Sequence, residues 1–335
     1  MMEFLPTASL ENIRYRSELL RAIREFFNDR NFIEVQTPIL SADTVIDHFV
    51  EPICVCDNSL PLNYHGNRNY YLQTSPEFAM KRLLAAGLNS IYQICPAFRR
   101  GDRGRLHNIE FTMLEWYRAG DNYKTGMQFL AELVQSIFDN PIFNRSKKIF
   151  PSISFVSFEE LFCQYVGQSF RRLSIQDFRK TADSSGVQYP ESYADNNNEL
   201  VWIDLFFSEF IQPKLKYTIV YDYPESQSQL AQNGIDKNGN KISERFELFL
   251  NGIEIANGYH ELVDSAEIRK RFEQISKKRI EDGKLPLPIE SRLLNAMKFG
   301  LPTSSGTALG IDRLLLYLLD AESIDDVITF PIEIC

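Results

Sequence analysis

The segment ERFELFLNGIEIANG, residues 244–258, admits few structures. Two runs that alternate apolar and polar residues flank Asn251-Gly252, the strongest short-range signal for a two-residue hairpin turn. The turn pairs Leu250 with Ile253, Phe249 with Glu254 and Leu248 with Ile255. Side chains alternate along a strand, so Glu247 and Phe249 share a face, and Glu254 joins them there. The two carboxylates become diagonal neighbours about 7 Å apart at the backbone. That spacing suits a hard cation such as Mg²⁺, which takes one or two carboxylates and completes its shell with water and phosphates. Two acids on a solvated sheet face is the competing reading.

The rest of the chain supplies helices around such strands. Ser9 to Asn28 reads as an amphipathic helix, with Ile13, Leu20, Ile23 and Phe27 at helical spacing and Thr7 or Ser9 as its cap. FIEVQTPIL (32–40) is extended and broken at Pro38. YYLQTSPEF (70–78) is a strand whose Ser75 can cap a helix with Pro76 at its first position. Residues 91–117 read as two strands around the charged loop RGDRGRLHN. The stretch from about 125 to 215 is mostly helical, TIVYDYP (218–224) is a strand, and a charged helix covers about 264–282. SSGTALG is a strand of small residues entering the helix IDRLLLYLLD. No repeat and no linker interrupts this order, so the expectation is one α+β domain over 1–335, an antiparallel sheet flanked by helices.

Three further segments carry chemistry. Alternation puts Phe111, Met113, Glu115 and Tyr117 on one face of the outgoing strand, an aromatic platform beside a carboxylate and a phenol. Arg99 ends the incoming strand, and a planar guanidinium beside such a platform suits a phosphate next to an aromatic base. A basic surface loop with a packed aromatic is the alternative. In ANGYHEL, Asn257, Tyr259 and Glu261 could grip an ammonium-bearing ligand; an ordinary strand end is the alternative. For these to line one site with Glu254, a bulge is needed at Asn257-Gly258. GTALGIDR lets the backbone approach something bulky and then sets Arg313 early in a helix; tight helix–sheet packing would use the same residues.

Composition excludes several classes. The 335 residues are 44% hydrophobic, enough for a substantial core. The net charge of −9 does not suit a grip on long nucleic acid, although Arg99, Arg100, Arg103 and Arg105 form a local basic cluster. Five scattered cysteines do not form a disulfide framework, which fits a reducing cytoplasm. The N-terminus has no apolar signal region, and no apolar run reaches the roughly 18 residues of a membrane span. His48, Cys54, Cys56 and His65 lack a usual zinc spacing.

Taken in order, these segments resemble a known family. FIEVQTPIL resembles motif 1 of the class II aminoacyl-tRNA synthetases, FRRGDRGRLHNIEFTMLEWY motif 2, and GTALGIDR motif 3. TSPEF, ERFELFLNGIEIANG and NGYHEL resemble the lysyl branch. The similarity runs from about residue 10 to 330, without a counterpart of that branch's N-terminal anticodon-binding barrel. That form resembles the elongation factor P–(R)-β-lysine ligase family, which activates (R)-β-lysine with ATP and transfers it to a lysine of a tRNA-shaped protein, elongation factor P.

The resemblance implies a class II synthetase catalytic fold, ATP as co-substrate, Mg²⁺, and a homodimer built through motif 1. It implies no membrane and no tRNA partner. It places Arg99 on the α-phosphate and Phe111 under adenine, with Arg313 on the other face. It puts Arg100, Gly101, His107, Asn108, Ile255 and Gly310 around the nucleotide and Glu247 and Glu254 on the metal. Arg99, Arg313 and Glu254 become the catalytic set. Ser75, Pro76, Glu77, Tyr117, Asn257, Tyr259, Glu261 and Ala308 become the amino-acid pocket, with Glu77 and Glu261 expected at opposite ends of a lysine or β-lysine ligand. Three departures stand out: Gly101 replaces the usual glutamate of motif 2, Ile109 replaces a proline, and Ala308 replaces a glycine. A truncated lysyl-tRNA synthetase and an inactive synthetase-like regulatory subunit are the rival functions.

Overall fold

The computed structural model describes residues 4–143, 151–194 and 198–335. Its hairpin joins strands Lys241–Leu250 and Ile253–His260. Both turn residues take positive φ, 48° at Asn251 and 77° at Gly252, as the favoured two-residue turn demands. The chain divides into two compact units, one combining Met1–Ile149 with Gly258–Cys335 and the other spanning Phe150–Asn257.

The first unit is built on strands Ser90–Phe98, Glu110–Ala119 and Ser304–Gly310, all antiparallel. Their register sets Gln93 and Ala308 on either side of Glu115, Gly306 beside Tyr117, and Ala97 beside Phe111. Directly opposed residues share a face, so the expected face of Phe111, Met113, Glu115 and Tyr117 is continued by glycine and alanine from the neighbouring strand. The other face is core. Helix Leu10–Asn28 starts at Ser9, whose hydroxyl accepts from the Asn12 N–H at 3.0 Å, and buries Tyr15, Leu19, Ile23, Phe26 and Phe27. Phe27 stacks on Tyr92 at 4.5 Å and meets Trp116 edge-on at 5.5 Å. Each such side chain removed from water contributes roughly 1.5–3 kcal/mol before entropy is counted.

Polar contacts fix where this helix lies. Arg16 pairs with Asp312 and donates to the Thr112 hydroxyl, while Asp312 also accepts from the Thr112 N–H at 2.6 Å. The first helix, the strand that carries Phe111 and the start of helix Ile311–Leu318 are thereby tied to one buried carboxylate. A small separate sheet joins Leu40–Ser41, Asn69–Leu72 and Ile53–Cys56, antiparallel in that order.

The second unit stacks helices on strands Tyr217–Pro224 and Lys241–Leu250, which run antiparallel with a register shift between Ser243 and Phe246. Its core is aromatic: Phe158, Phe162, Phe170, Phe178, Trp202, Phe206 and Phe207 are all buried. Phe158 alone stacks on Phe162 at 5.1 Å and on Phe207 at 4.8 Å.

The α+β class stands, with one amendment to the expected antiparallel sheet. Parallel pairings join Ile33–Glu34 with Ser90–Phe98, and Ser154–Ser157 with Tyr217–Pro224. Both are short strands, two and four residues long, and neither the motif 1 segment nor the middle of the chain signals a crossover connection of the kind parallel pairing needs. Among the described residues no helix is long and apolar enough to cross a membrane.

Candidate active site

In the first unit, the turn into helix Glu77–Ala85 aims acidic side chains at the small-residue strand. The helix begins at Glu77 with Pro76 as its cap residue, one position later than expected. The Ser75 hydroxyl still serves the helix end, accepting the Glu77 N–H at 3.0 Å. The same hydroxyl donates to Glu115 Oε2 at 2.7 Å, and the Tyr117 phenol donates to Glu115 Oε1 at 2.6 Å. Glu115, Tyr117, Glu77 and Glu261 are all buried. Tyr259 lies half-exposed where its carbonyl accepts from the Ser305 hydroxyl at 2.9 Å, and the Glu261 N–H donates to Ser304 O at 2.9 Å.

One expectation is corrected here. Glu77 and Glu261 do not stand at opposite ends of a cavity. Both reach the same buried ammonium, Lys81 Nζ, at 2.5 and 2.6 Å. The physical cause is helical spacing: Lys81 lies four residues after Glu77, so its stem runs along the helix face that meets Glu261.

Burial dominates the electrostatics. It pushes Glu115 up to about 8, with the charge of Glu77 adding to the shift and the hydroxyls of Tyr117 and Ser75 opposing it. Glu261 is pushed up to about 7 by burial, against the pull of Lys81. Burial disfavours the charge of Lys81, yet Glu261 and Glu77 outweigh it and hold the ammonium above the ordinary lysine range. The Tyr117 phenol is raised by burial and by Glu115. A cluster of acids that burial and mutual repulsion hold short of positive charge suits ammonium groups.

Why the strand opposite is made of small residues follows from contact. A Cβ at Gly306 would overlap Glu261 Oε1 and the Tyr117 ring. Ala308 is half-buried two residues on, directly opposite Glu115.

Basic and aromatic groups gather at the other end of the same face. The Arg99 guanidinium lies 5.1 Å over the Phe111 ring, and its buried Nε has no hydrogen-bond partner. Arg313 donates to Leu106 O at 3.3 Å and lies against His107 Nε2. Burial and then Arg313 lower the His107 pKa, with a smaller push from Arg99. Gly310 caps the helix that carries Arg313. Two cations beside an aromatic platform suit a polyphosphate joined to a base.

The intervening loop is more structural than its sequence suggests. Gly101 has a φ of +82°, a region in which glutamate would be strained, so the backbone explains the departure from the usual motif. Asn108 is buried, donating to Glu110 O at 2.8 Å and accepting from the Ile332 N–H at 3.3 Å. Arg103 pairs with Asp325 and Glu333, which neutralises part of the basic cluster, whereas Arg100 is exposed.

The expected acids of the hairpin lie in the second unit. Glu247 is buried, accepting from the Tyr223 phenol at 2.7 Å and from Arg245. Burial raises its pKa; Arg245 opposes the shift and the charge of Glu254 adds to it. Glu254 is half-buried, Ile255 is buried, and the Asn257 Oδ1 is buried without a partner. Among the described residues no group of three or more His, Cys, Asp and Glu could hold a metal ion. Two repelling carboxylates, one of them buried, fit a cation that takes its remaining ligands from phosphate and water.

Sequence reasoning missed Lys81, Tyr223 and Arg245, left Glu115 unassigned, and read Gly306 only as one of a run of small residues. Only Lys81 had a local signal, its spacing from Glu77.

Residues 1–334 match the family model of class II tRNA synthetases (D, K and N), and the chain belongs to that family. Among its relatives, the elongation factor P–(R)-β-lysine ligase of Photobacterium profundum is 38% identical over 340 residues, covering 98% of each chain. The enzymes of that name from Pectobacterium atrosepticum and Vibrio atlanticus are each 37% identical, covering 98% and 97% of this chain and 97% of theirs. Within the class II family, the chain therefore falls in the branch these ligases form.

Proposed function

We propose that this protein is an ATP-dependent ligase that activates (R)-β-lysine, or lysine, as its adenylate and transfers the aminoacyl group to a lysine of elongation factor P. The observation that carries this reading is the buried cluster of Glu77, Glu115 and Glu261 around Tyr117. A carboxylate cluster suits an amino acid with two ammonium groups, and the similar proteins are named for such a substrate and acceptor.

In the first step the substrate carboxylate attacks the α-phosphorus of ATP. A new P–O bond forms, the α–β bridge breaks, and pyrophosphate leaves. Arg99 and Arg313 stabilise the charge that builds on the α-phosphate. Glu247 and Glu254 would hold Mg²⁺, which supplies charge neutralisation for the triphosphate. Phe111 carries adenine, and His107, whose pKa burial and then Arg313 lower, packs beside the nucleotide. In the second step the acceptor amine, its protons passing to solvent, attacks the acyl carbonyl; a C–N bond replaces the acyl–phosphate C–O bond, and AMP leaves. ATP–pyrophosphate exchange tests the first step: (R)-β-lysine should support it, and failure with every diammonium amino acid would overturn the reading.

Ala308 is the proposed discriminator between isomers. It lies opposite Glu115 in the pocket, and moving an amino group from the α to the β carbon reshapes the substrate there. One methyl group shifts discrimination by about 1–3 kcal/mol. The wild type should prefer (R)-β-lysine, and Ala308→Gly should narrow or invert the ratio of kcat/KM. An unchanged ratio would clear Ala308 of the role. Cytoplasmic location, a homodimer through residues 9–40 and the absence of a tRNA substrate complete the proposal. Light scattering at micromolar concentration should give twice the monomer mass, and a monomer would count against the dimer.

A further inference from the structure

Lys81 has no part in the chemistry above, yet its environment is the most costly in the pocket. Its side chain is 0% exposed, and an isolated ammonium at that depth would shed its proton. Instead Nζ lies 2.5 Å from Glu77 Oε1 and 2.6 Å from Glu261 Oε2, with the Tyr117 ring centroid 5.9 Å away. The other titratable groups facing the cluster are Glu115 and Tyr117 on strand Glu110–Ala119 and His260 next to Glu261. Glu77, Glu115 and Glu261 bring three carboxylates against the one ammonium of Lys81. Burial pushes Glu115 up to about 8, so one negative charge stands uncompensated at neutral pH and a second appears when Glu115 gives up its proton, which matches the two ammonium groups of a lysine-like amino acid.

We propose that Lys81 is a positioning residue that ties Glu77 to Glu261 and keeps Glu261 ionised, so that a diammonium substrate has only the proton of Glu115 to displace. This rests on the reading of the cluster as the amino-acid site. A lysine that only tied the helix to the strand would affect stability and nothing else. A lysine that keeps Glu261 ionised also governs protons. Without its charge, burial and the neighbouring Glu77 push Glu261 further up, and Glu261 takes a proton that the incoming ammonium must displace.

Pyrophosphate exchange with (R)-β-lysine, measured from about pH 6 to 10 on wild type, Lys81→Gln and Lys81→Arg, separates the two roles. In Lys81→Gln the amino-acid KM should rise by roughly 30-fold at about pH 7.5, with the KM for ATP changed by less than about threefold. The deficit should shrink as pH rises, because the acidic limb of kcat/KM moves up by about one unit or more. Lys81→Arg, which restores the charge, should return the limb towards its wild-type position. A normal amino-acid KM in Lys81→Gln, or a rise of the same size at every pH, would overturn the proposal. Wild type that exchanges with no diammonium amino acid would instead overturn the reading of the pocket. If Lys81→Gln does not fold, calorimetry on wild type decides, from (R)-β-lysine binding in buffers of differing ionisation enthalpy. Release of about one proton, from Glu115, supports the role at about pH 7.5, and release of about two contradicts it.

Discussion

Glu254→Gln should lower the rate of pyrophosphate exchange by roughly three orders of magnitude while leaving the protein folded. Glutamine keeps the size of the side chain and its place in the hairpin, so the substitution removes a charge and little else. The side chain is half-buried, and its charge is felt by Glu247 and Tyr223. Losing it relieves repulsion with Glu247, and the fold should persist. What is lost is half of a carboxylate pair suited to a divalent cation on the triphosphate. Circular dichroism and thermal unfolding check the fold, and exchange checks the chemistry. Exchange within tenfold of wild type would remove Glu254 from the metal site.

Gly306→Ala should be nearly as severe by a different route. The position needs space, since a Cβ would overlap Glu261 Oε1 and the Tyr117 ring. Neither can retreat easily: both are buried, Glu261 is tied to Lys81, and Tyr117 is hydrogen-bonded to Glu115. Overpacking of this kind costs about 1–3 kcal/mol of stability. The larger effect should fall on function, because a displacement near 1 Å in a substrate-positioning group can cost roughly 100-fold. kcat/KM for the amino acid should drop by about that factor, with the KM for ATP little changed. A variant with an unchanged amino-acid kcat/KM would place the substrate elsewhere.

These two residues mark the boundary of what the sequence could tell. Glu254 was legible because Asn251-Gly252 sets the hairpin and strand alternation then assigns faces, which is local information. The face of Phe111, Met113, Glu115 and Tyr117 was legible for the same reason. At Gly306 the need for a small residue was legible from GTALGIDR, but its cause was not, because Tyr117 and Glu261 are remote in sequence. Lys81 was hidden in the same way: its spacing from Glu77 is local, but the second carboxylate arrives from residue 261. The expectation that Glu77 and Glu261 stand apart failed for want of that tertiary contact. The division at residues 149–150 and 257–258 carries no Pro- or Gly-rich linker, and the second cut falls inside a strand. Gly101 shows the reverse case, a departure from a motif that becomes intelligible once its φ of +82° is known.

The identity of the acceptor is the sharpest test of the whole account. Protein, ATP, Mg²⁺ and radiolabelled (R)-β-lysine would be incubated with purified elongation factor P in one reaction and with lysine-accepting tRNA in another. Stable label is expected on one lysine of elongation factor P and none above background on tRNA. Label on tRNA, or adenylate formation with an unlabelled elongation factor P, would contradict the account.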